Sequence, residues 1–392
     1  MTYPITRTVP HDVAAALLLL SRQRLSEDDK GHARTLLGKL DDGHQLIDLA
    51  HQKLSLPFVA RHLDALKPDW YHPSQLRDRL NEMTLLGLRV SGAQMNFHRK
   101  CIAPLKVQHS YFKGLALGAQ YYDQNGLRPA RDVDLIVDRK QIRAVIDRAR
   151  EQNYALIDNA RTQRILTSER DIDAALRYER VANLISPEGV LIEVHEEIDK
   201  HQGIFYGPKI LWQAEAVSIK TVPMHSLPHA VHFIYVAYHC ARHVWSALHW
   251  LADLDAMRNH PSFDHDTVMR TAQDMGMEPL VEATLDFIEG SKRLPDELDP
   301  GNSRTDALLE LCVLNLEGGS SVEHALRAQH TKYALPFDWL VSPRLGRKIL
   351  RNRLRGRFRP SFKDYEAVPL PPALRHIYPV IVPVRKLMRG RR

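Results

Sequence analysis

Arg128-Pro129-Ala130-Arg131-Asp132-Val133-Asp134-Leu135-Ile136-Val137 is the stretch on which the fold turns. A proline-bearing turn runs into a short β-branched run, so residues 133–137 read as a strand. Side chains alternate along a strand, which sends Asp132 and Asp134 to one face and Val133 and Leu135 into the opposite layer. Two carboxylates this close repel each other unless a cation lies between them. Magnesium takes oxygen ligands, commonly one or two carboxylates together with substrate phosphates.

Two further stretches fit around that strand. Upstream stands Phe112-Lys113-Gly114-Leu115, where a glycine would let backbone N–H groups come close to phosphate oxygens. Downstream stands Leu191-Ile192-Glu193-Val194-His195, with Glu193 and His195 on one face of an apolar strand. Pro187-Glu188-Gly189 joins it to a preceding strand over residues 178–186 as a hairpin. Residues 141–152 have the spacing of an amphipathic helix. Strands interspersed with helices make residues 109–222 one mixed α/β unit, an α+β core flanked by helical regions. Residues 1–108 read as helical, with Ser26 and Asp29 spaced as a capping pair. Residues 223–335 read as a second helical region, with a long helix over 229–257, and residues 336–392 as a basic tail rich in proline and arginine.

Asp132, Asp134 and Glu193 together could build a two-cation clamp for phosphoryl transfer. Lys113 and Gly114 would frame a triphosphate, and Arg128 and Arg131 could neutralise phosphate charge through bidentate contact. The same arginines also suit a solvated turn, and Lys113 a structural ion pair. The Lys-Gly, Asp-x-Asp and Glu-x-His strings, in this order, resemble the uncharacterised nucleotidyltransferase family of the polymerase-β superfamily. The helices before Phe112 and the stretch His239-Cys240-Ala241-Arg242-His243-Val244-Trp245 extend the likeness over residues 35–290. The resemblance implies a polymerase-β-like core and metal-dependent transfer of NMP from an NTP to a hydroxyl of a small molecule, sugar or protein, releasing pyrophosphate. Magnesium, or manganese in its place, would be held by Asp132, Asp134 and Glu193. Two departures stand out. Lys113-Gly114-Leu115 replaces the Gly-Gly or Gly-Ser of the wider superfamily, and Glu196 stands where this family often has tryptophan. The alternatives are a non-catalytic nucleotide-binding scaffold, or an RNA-modifying or toxin-like transferase that uses the basic tail.

Other patterns carry less. Asp171-Ile172-Asp173 repeats the Asp-x-Asp string, but it precedes Ala174-Ala175-Leu176 in a helical context and reads as solvated surface. His195-Glu196-Glu197-Ile198-Asp199 ends in aspartate where a zinc protease needs a second histidine. His232, His239 and His243 share one helix face. They read as core or interdomain histidines, or as substrate contacts. There is no GxxxxGK[ST] and no GxGxxG.

Charge is uneven. Residues 340–392 hold 15 Lys+Arg against 2 Asp+Glu, a net of +13 in a chain of net +7. The body is therefore mildly acidic, and the tail is suited to RNA, an anionic surface or an acidic partner. Arg351, Arg353, Arg355 and Arg357, alternating around Leu354 and Phe358, read as a flexible basic arm. Cys101, Cys240 and Cys312 are too few and too scattered for a disulfide framework, and no apolar run reaches the length of a membrane span, so a cytoplasmic location is expected.

Overall fold

A computed structural model describes residues 9–123, 127–199, 204–205, 207–219, 221–299, 301, 303–329 and 335–389 of the 392. Gln124-Asn125-Gly126, whose residue types predict a turn, lies outside them. The architecture is α+β, with helices and one mixed sheet of seven strands. The chain divides into two compact units, each assembled from separated stretches. One comprises residues 1–87, 117–129 and 229–346, and the other residues 88–116, 130–228 and 347–392.

The second unit contains the sheet. Its strands are β1 (His109–Tyr111), β2 (Asp132–Val137), β3 (Ala155–Ile157), β4 (Val181–Ile185), β5 (Leu191–His195), β6 (Glu215–Ile219) and β7 (Val222–Ser226). Their spatial order is β3-β4-β5-β2-β1-β7-β6. β2 lies parallel to β5 and β1 parallel to β7, and the other pairs are antiparallel. Val133, Leu135, Ile136 and Val137 are buried, which explains why this near-continuous apolar run takes a central position. After β2, the side chain of Asp138 accepts a hydrogen bond from the Lys140 N–H and starts the helix Arg139–Glu151. Its Ile142, Val145, Ile146 and Ala149 are buried at three and four spacing, as the sequence pattern predicts. The β4–β5 hairpin closes through the expected turn, with Gly189 at φ +77° and its N–H bonded to the Ser186 carbonyl. The strand ahead of that turn starts at Val181 rather than 178, because the helix Glu169–Tyr178, capped by Ser168, runs through Tyr178 and the chain needs Glu179 and Arg180 to leave it.

The tail is helical, not a loose arm. Pro343–Gly356, Phe362–Ala367 and Tyr378–Arg389 are helices, with a 3-10 segment, Pro372–Ile377, leading into the last. Within the sheet unit Tyr365 receives a hydrogen bond from Arg170, the Phe362 N–H bonds Glu179, and Tyr178 meets the Tyr365 and Tyr378 rings. The alternation of arginines hides a four-residue spacing of Leu350, Leu354 and Phe358, and that spacing belongs to a helix.

The other unit is helical. The capping pair Ser26 and Asp29 forms a reciprocal box at the start of Glu27–Gly38. The long helix expected over 229–257 is two, His229–Arg242 and His249–Arg258. Val244 and Trp245 both turn left-handed between them (φ +49° and +56°). Burial of Trp245 against Phe287, with ring centroids 4.0 Å apart, offsets a backbone conformation that costs a bulky or β-branched residue about 1 kcal/mol or more. Cys101, Cys240 and Cys312 are free and buried.

Candidate functional site

The parallel pairing of β2 with β5 places Asp134 directly opposite Glu193, Asp132 opposite Leu191 and Ile136 opposite His195. Alternation then puts Asp132, Asp134, Glu193 and His195 on one face of the sheet. Ligand atoms of Asp134, Glu193 and His195 lie within 4.8 Å of one another, and this is the metal-type grouping found among the described residues. Asp132 stands outside that group, two residues earlier on the same face. It is half-buried, whereas Asp134 is buried.

His195 links the two carboxylates. Its Nε2 is 3.2 Å from Asp134 Oδ1 and 3.4 Å from Glu193 Oε2. On the other side Lys113 Nζ donates to Asp134 Oδ2 at 3.3 Å. The Phe112 ring stands edge-on to the imidazole with centroids 5.1 Å apart, and the Phe112 N–H bonds the Asp134 carbonyl at 3.2 Å. Burial opposes the charge on Asp134, but Lys113 and His195 outweigh it and bring the carboxyl down to about 2. Burial pulls His195 down, yet its hydrogen bonds to Asp134 and Glu193 more than reverse the effect and raise it above its ordinary value.

Lys113 and Gly114 both have positive φ, +66° and +48°. A Cβ on Gly114 would sit 3.7 Å from the Asp132 carbonyl, so the turn passes close beside the first residue of β2. Gly114 opens the helix Gly114–Tyr121, whose first N–H groups have no partner inside the helix. An anion is favoured at such an end.

The remaining expected residues are placed as follows. Arg131 is exposed. Arg128 belongs to the helical unit and is buried, with Nε and Nη2 each 2.8 Å from the two oxygens of Asp253. The Tyr122 hydroxyl adds a third hydrogen bond to that carboxylate at 2.7 Å. His239 and His243, also in the helical unit, have ring centroids 4.4 Å apart and both abut Trp250. His232 is fully buried and pushed down to about 3, chiefly by burial, so it stays neutral. Asp171 and Asp173 lie on the helix Glu169–Tyr178, where a spacing of two separates their side chains by about 200°. Asp173 is exposed and paired with Arg143.

Sequence reasoning passed over the surroundings of Glu196. Arg139, Arg180 and Arg359 all approach its carboxylate, the last two at 3.7 and 3.9 Å. No local pattern joins arginines this far apart in the chain. His195 as partner to both carboxylates was open to detection, because it shares the parity of Glu193.

Two carboxylates and an imidazole at this separation suit a divalent cation. Oxygen donors fit magnesium or manganese, and the imidazole adds affinity for the later transition metals. Residues 40–289, which include every group of this cluster, match the family described as uncharacterised nucleotidyltransferase. The chain belongs to that family. A search of curated proteins found no match.

Proposed function

We propose that this family member transfers a nucleotidyl group from an NTP to an acceptor hydroxyl on a polymerase-β-like core, with a divalent cation held by Asp134, Glu193 and, from the same face, Asp132. The single observation that carries this reading is the β2–β5 register, which sets Asp134 against Glu193 beside the Lys113-Gly114 turn. Two carboxylates aligned by backbone pairing are preorganised for a cation that the triphosphate also binds. When bound, that cation would supply charge neutralisation at the phosphates.

The chain's own groups have separate tasks. The N-terminal turn of Gly114–Tyr121 offers backbone N–H groups to phosphate oxygens. The Lys113 ammonium and the exposed Arg131 add positive charge. The acceptor oxygen forms a bond to the α-phosphorus, the bond from that phosphorus to the β-bridging oxygen breaks, and pyrophosphate leaves. The acceptor proton passes to Glu193 or to neutral His195, which share one hydrogen-bonded pair. Phe112 against His195 and the apolar body of β2 keep water from the rear of the site.

The test is incubation with each α-labelled NTP and magnesium over fractionated cell extract. Transfer of label should depend on Asp134 and Glu193. Label that still moves at the wild-type rate in Asp134→Ala and Glu193→Gln proteins would remove the site.

A further inference from the structure

Between Arg344 and Arg359 the sequence has eight basic residues and no acidic one. The helix Pro343–Gly356 buries Ile349 but leaves Leu350, Leu354 and Phe358 40, 48 and 52% exposed. Their spacing of four aligns them as one stripe. Backbone hydrogen bonds from Arg357 and Phe358 to the Arg353 and Arg355 carbonyls carry the stripe one turn past the helix end. Helical geometry puts Arg347, Arg351 and Arg355 along one border of the stripe and Arg353 and Arg357 along the other. A lone exposed leucine is ordinary, whereas three aligned apolar side chains between two rows of guanidinium groups are not. The helix Tyr378–Arg389, in the same unit, adds a shorter exposed apolar pair. It buries Tyr378 and Val382 and leaves Val380 and Val384 72 and 54% exposed, again four apart.

We propose that the face Arg347–Phe358 docks on an anionic lipid surface, with Leu350, Leu354 and Phe358 entering the acyl boundary and the arginines on headgroup phosphates. Charge complementarity selects this occupant. RNA would engage the arginines and leave the apolar stripe in water. A second copy of the chain would set one basic row against another. A bilayer surface bearing phosphate satisfies both rows and the stripe together. Among the described residues no helix is long and apolar enough to cross a membrane, so the contact is peripheral. Docking of this face is independent of the chemistry proposed for the Asp134 site.

Flotation of the full-length chain with vesicles tests it. Wild type should float with mixed phosphatidylcholine–phosphatidylglycerol vesicles and not with phosphatidylcholine alone. The triple change Leu350→Ser, Leu354→Ser, Phe358→Ser should lower partition about tenfold or more, and Arg351→Gln with Arg355→Gln should do likewise. These side chains are exposed, and an unchanged thermal melt verifies that the variants fold. Three results would each overturn the proposal. One is equal flotation of wild type and the apolar triple variant. Another is binding to single-stranded RNA, but not to vesicles, that survives the apolar change. The third is a wild-type dimer that becomes monomeric in the triple variant while flotation is unaltered.

Discussion

Asp134 and Asp253 are both buried aspartates, and they are neutralised in opposite ways. Asp253 accepts three hydrogen bonds at 2.7–2.8 Å, two from the guanidinium fork of Arg128 and one from Tyr122. Both of its oxygens are held by partners that do not change protonation near neutral pH. Asp134 has looser partners, Lys113 at 3.3 Å and His195 at 3.2 Å, and that histidine is shared with the second carboxylate of Glu193. One pair is complete as it stands. The other is a set of negative charges held together by a lysine and a titratable base, both of which a cation could replace. Burial alone does not tell these two aspartates apart. The exchangeability of the compensating charge does.

The contrast breaks first if Asp134→Ala is harmless. Label transfer should fall about a thousandfold or more, and manganese binding followed by electron paramagnetic resonance should weaken in parallel, with the melt largely kept. Arg128→Ala should do the reverse. It strands a buried carboxylate, so chemical denaturation should report a loss of about 3–5 kcal/mol while the folded fraction still binds manganese. Equal loss of manganese binding in both variants would erase the distinction.

His195 sharpens the comparison through pH. Its raised pKa in the cation-free protein means that its bonds to Asp134 and Glu193 add stability in full below about pH 6.5. That increment is lost as pH rises through the folded pKa. The gap in melting temperature between wild type and His195→Gln should therefore be widest in mild acid and close in base. Manganese affinity should climb over the same interval, because the proton and the cation compete for the same carboxylates. A gap that grows with pH would contradict the shared-proton arrangement. The smallest effect is expected at the turn. Gly114→Ala places a side chain at φ +48° with no steric clash, so stability should drop about 1 kcal/mol, and NTP affinity measured by calorimetry should decline only a fewfold.

Much of the site was legible because strand parity is local. Asp132 and Asp134 share a face by alternation, and so do Glu193 and His195. The hairpin turn at Gly189 and the N-terminal capping box follow from residues within four positions of one another. The short strands β3, β6 and β7 were not read, because three to five residues without strong alternation carry too little periodicity. The break at Val244 and Trp245 was hidden for another reason. Neither residue favours a left-handed backbone, and contacts distant in sequence help hold it there, the indole packing on Phe287 and the Asn315 side chain donating to the Val244 carbonyl. Arg128 shows the same limit at a residue expected to bind phosphate, since a turn arginine beside an Asp-x-Asp strand has no local sign that its partner is Asp253, 125 positions away.

By itself, then, the chain's order of residues determined which side chains could act together: two aspartates on one strand face, a glutamate and a histidine on another, a glycine turn ahead of them, and a tail of concentrated positive charge. Tertiary structure decided which of these meet. The parallel register across β2 and β5 brought Asp134, Glu193 and His195 within reach of one ion, and a fork of hydrogen bonds committed Arg128 to Asp253. The reason is one of range. Backbone alternation is set by neighbouring residues, whereas strand register and buried ion pairing are settled by free-energy differences summed over the whole packed core.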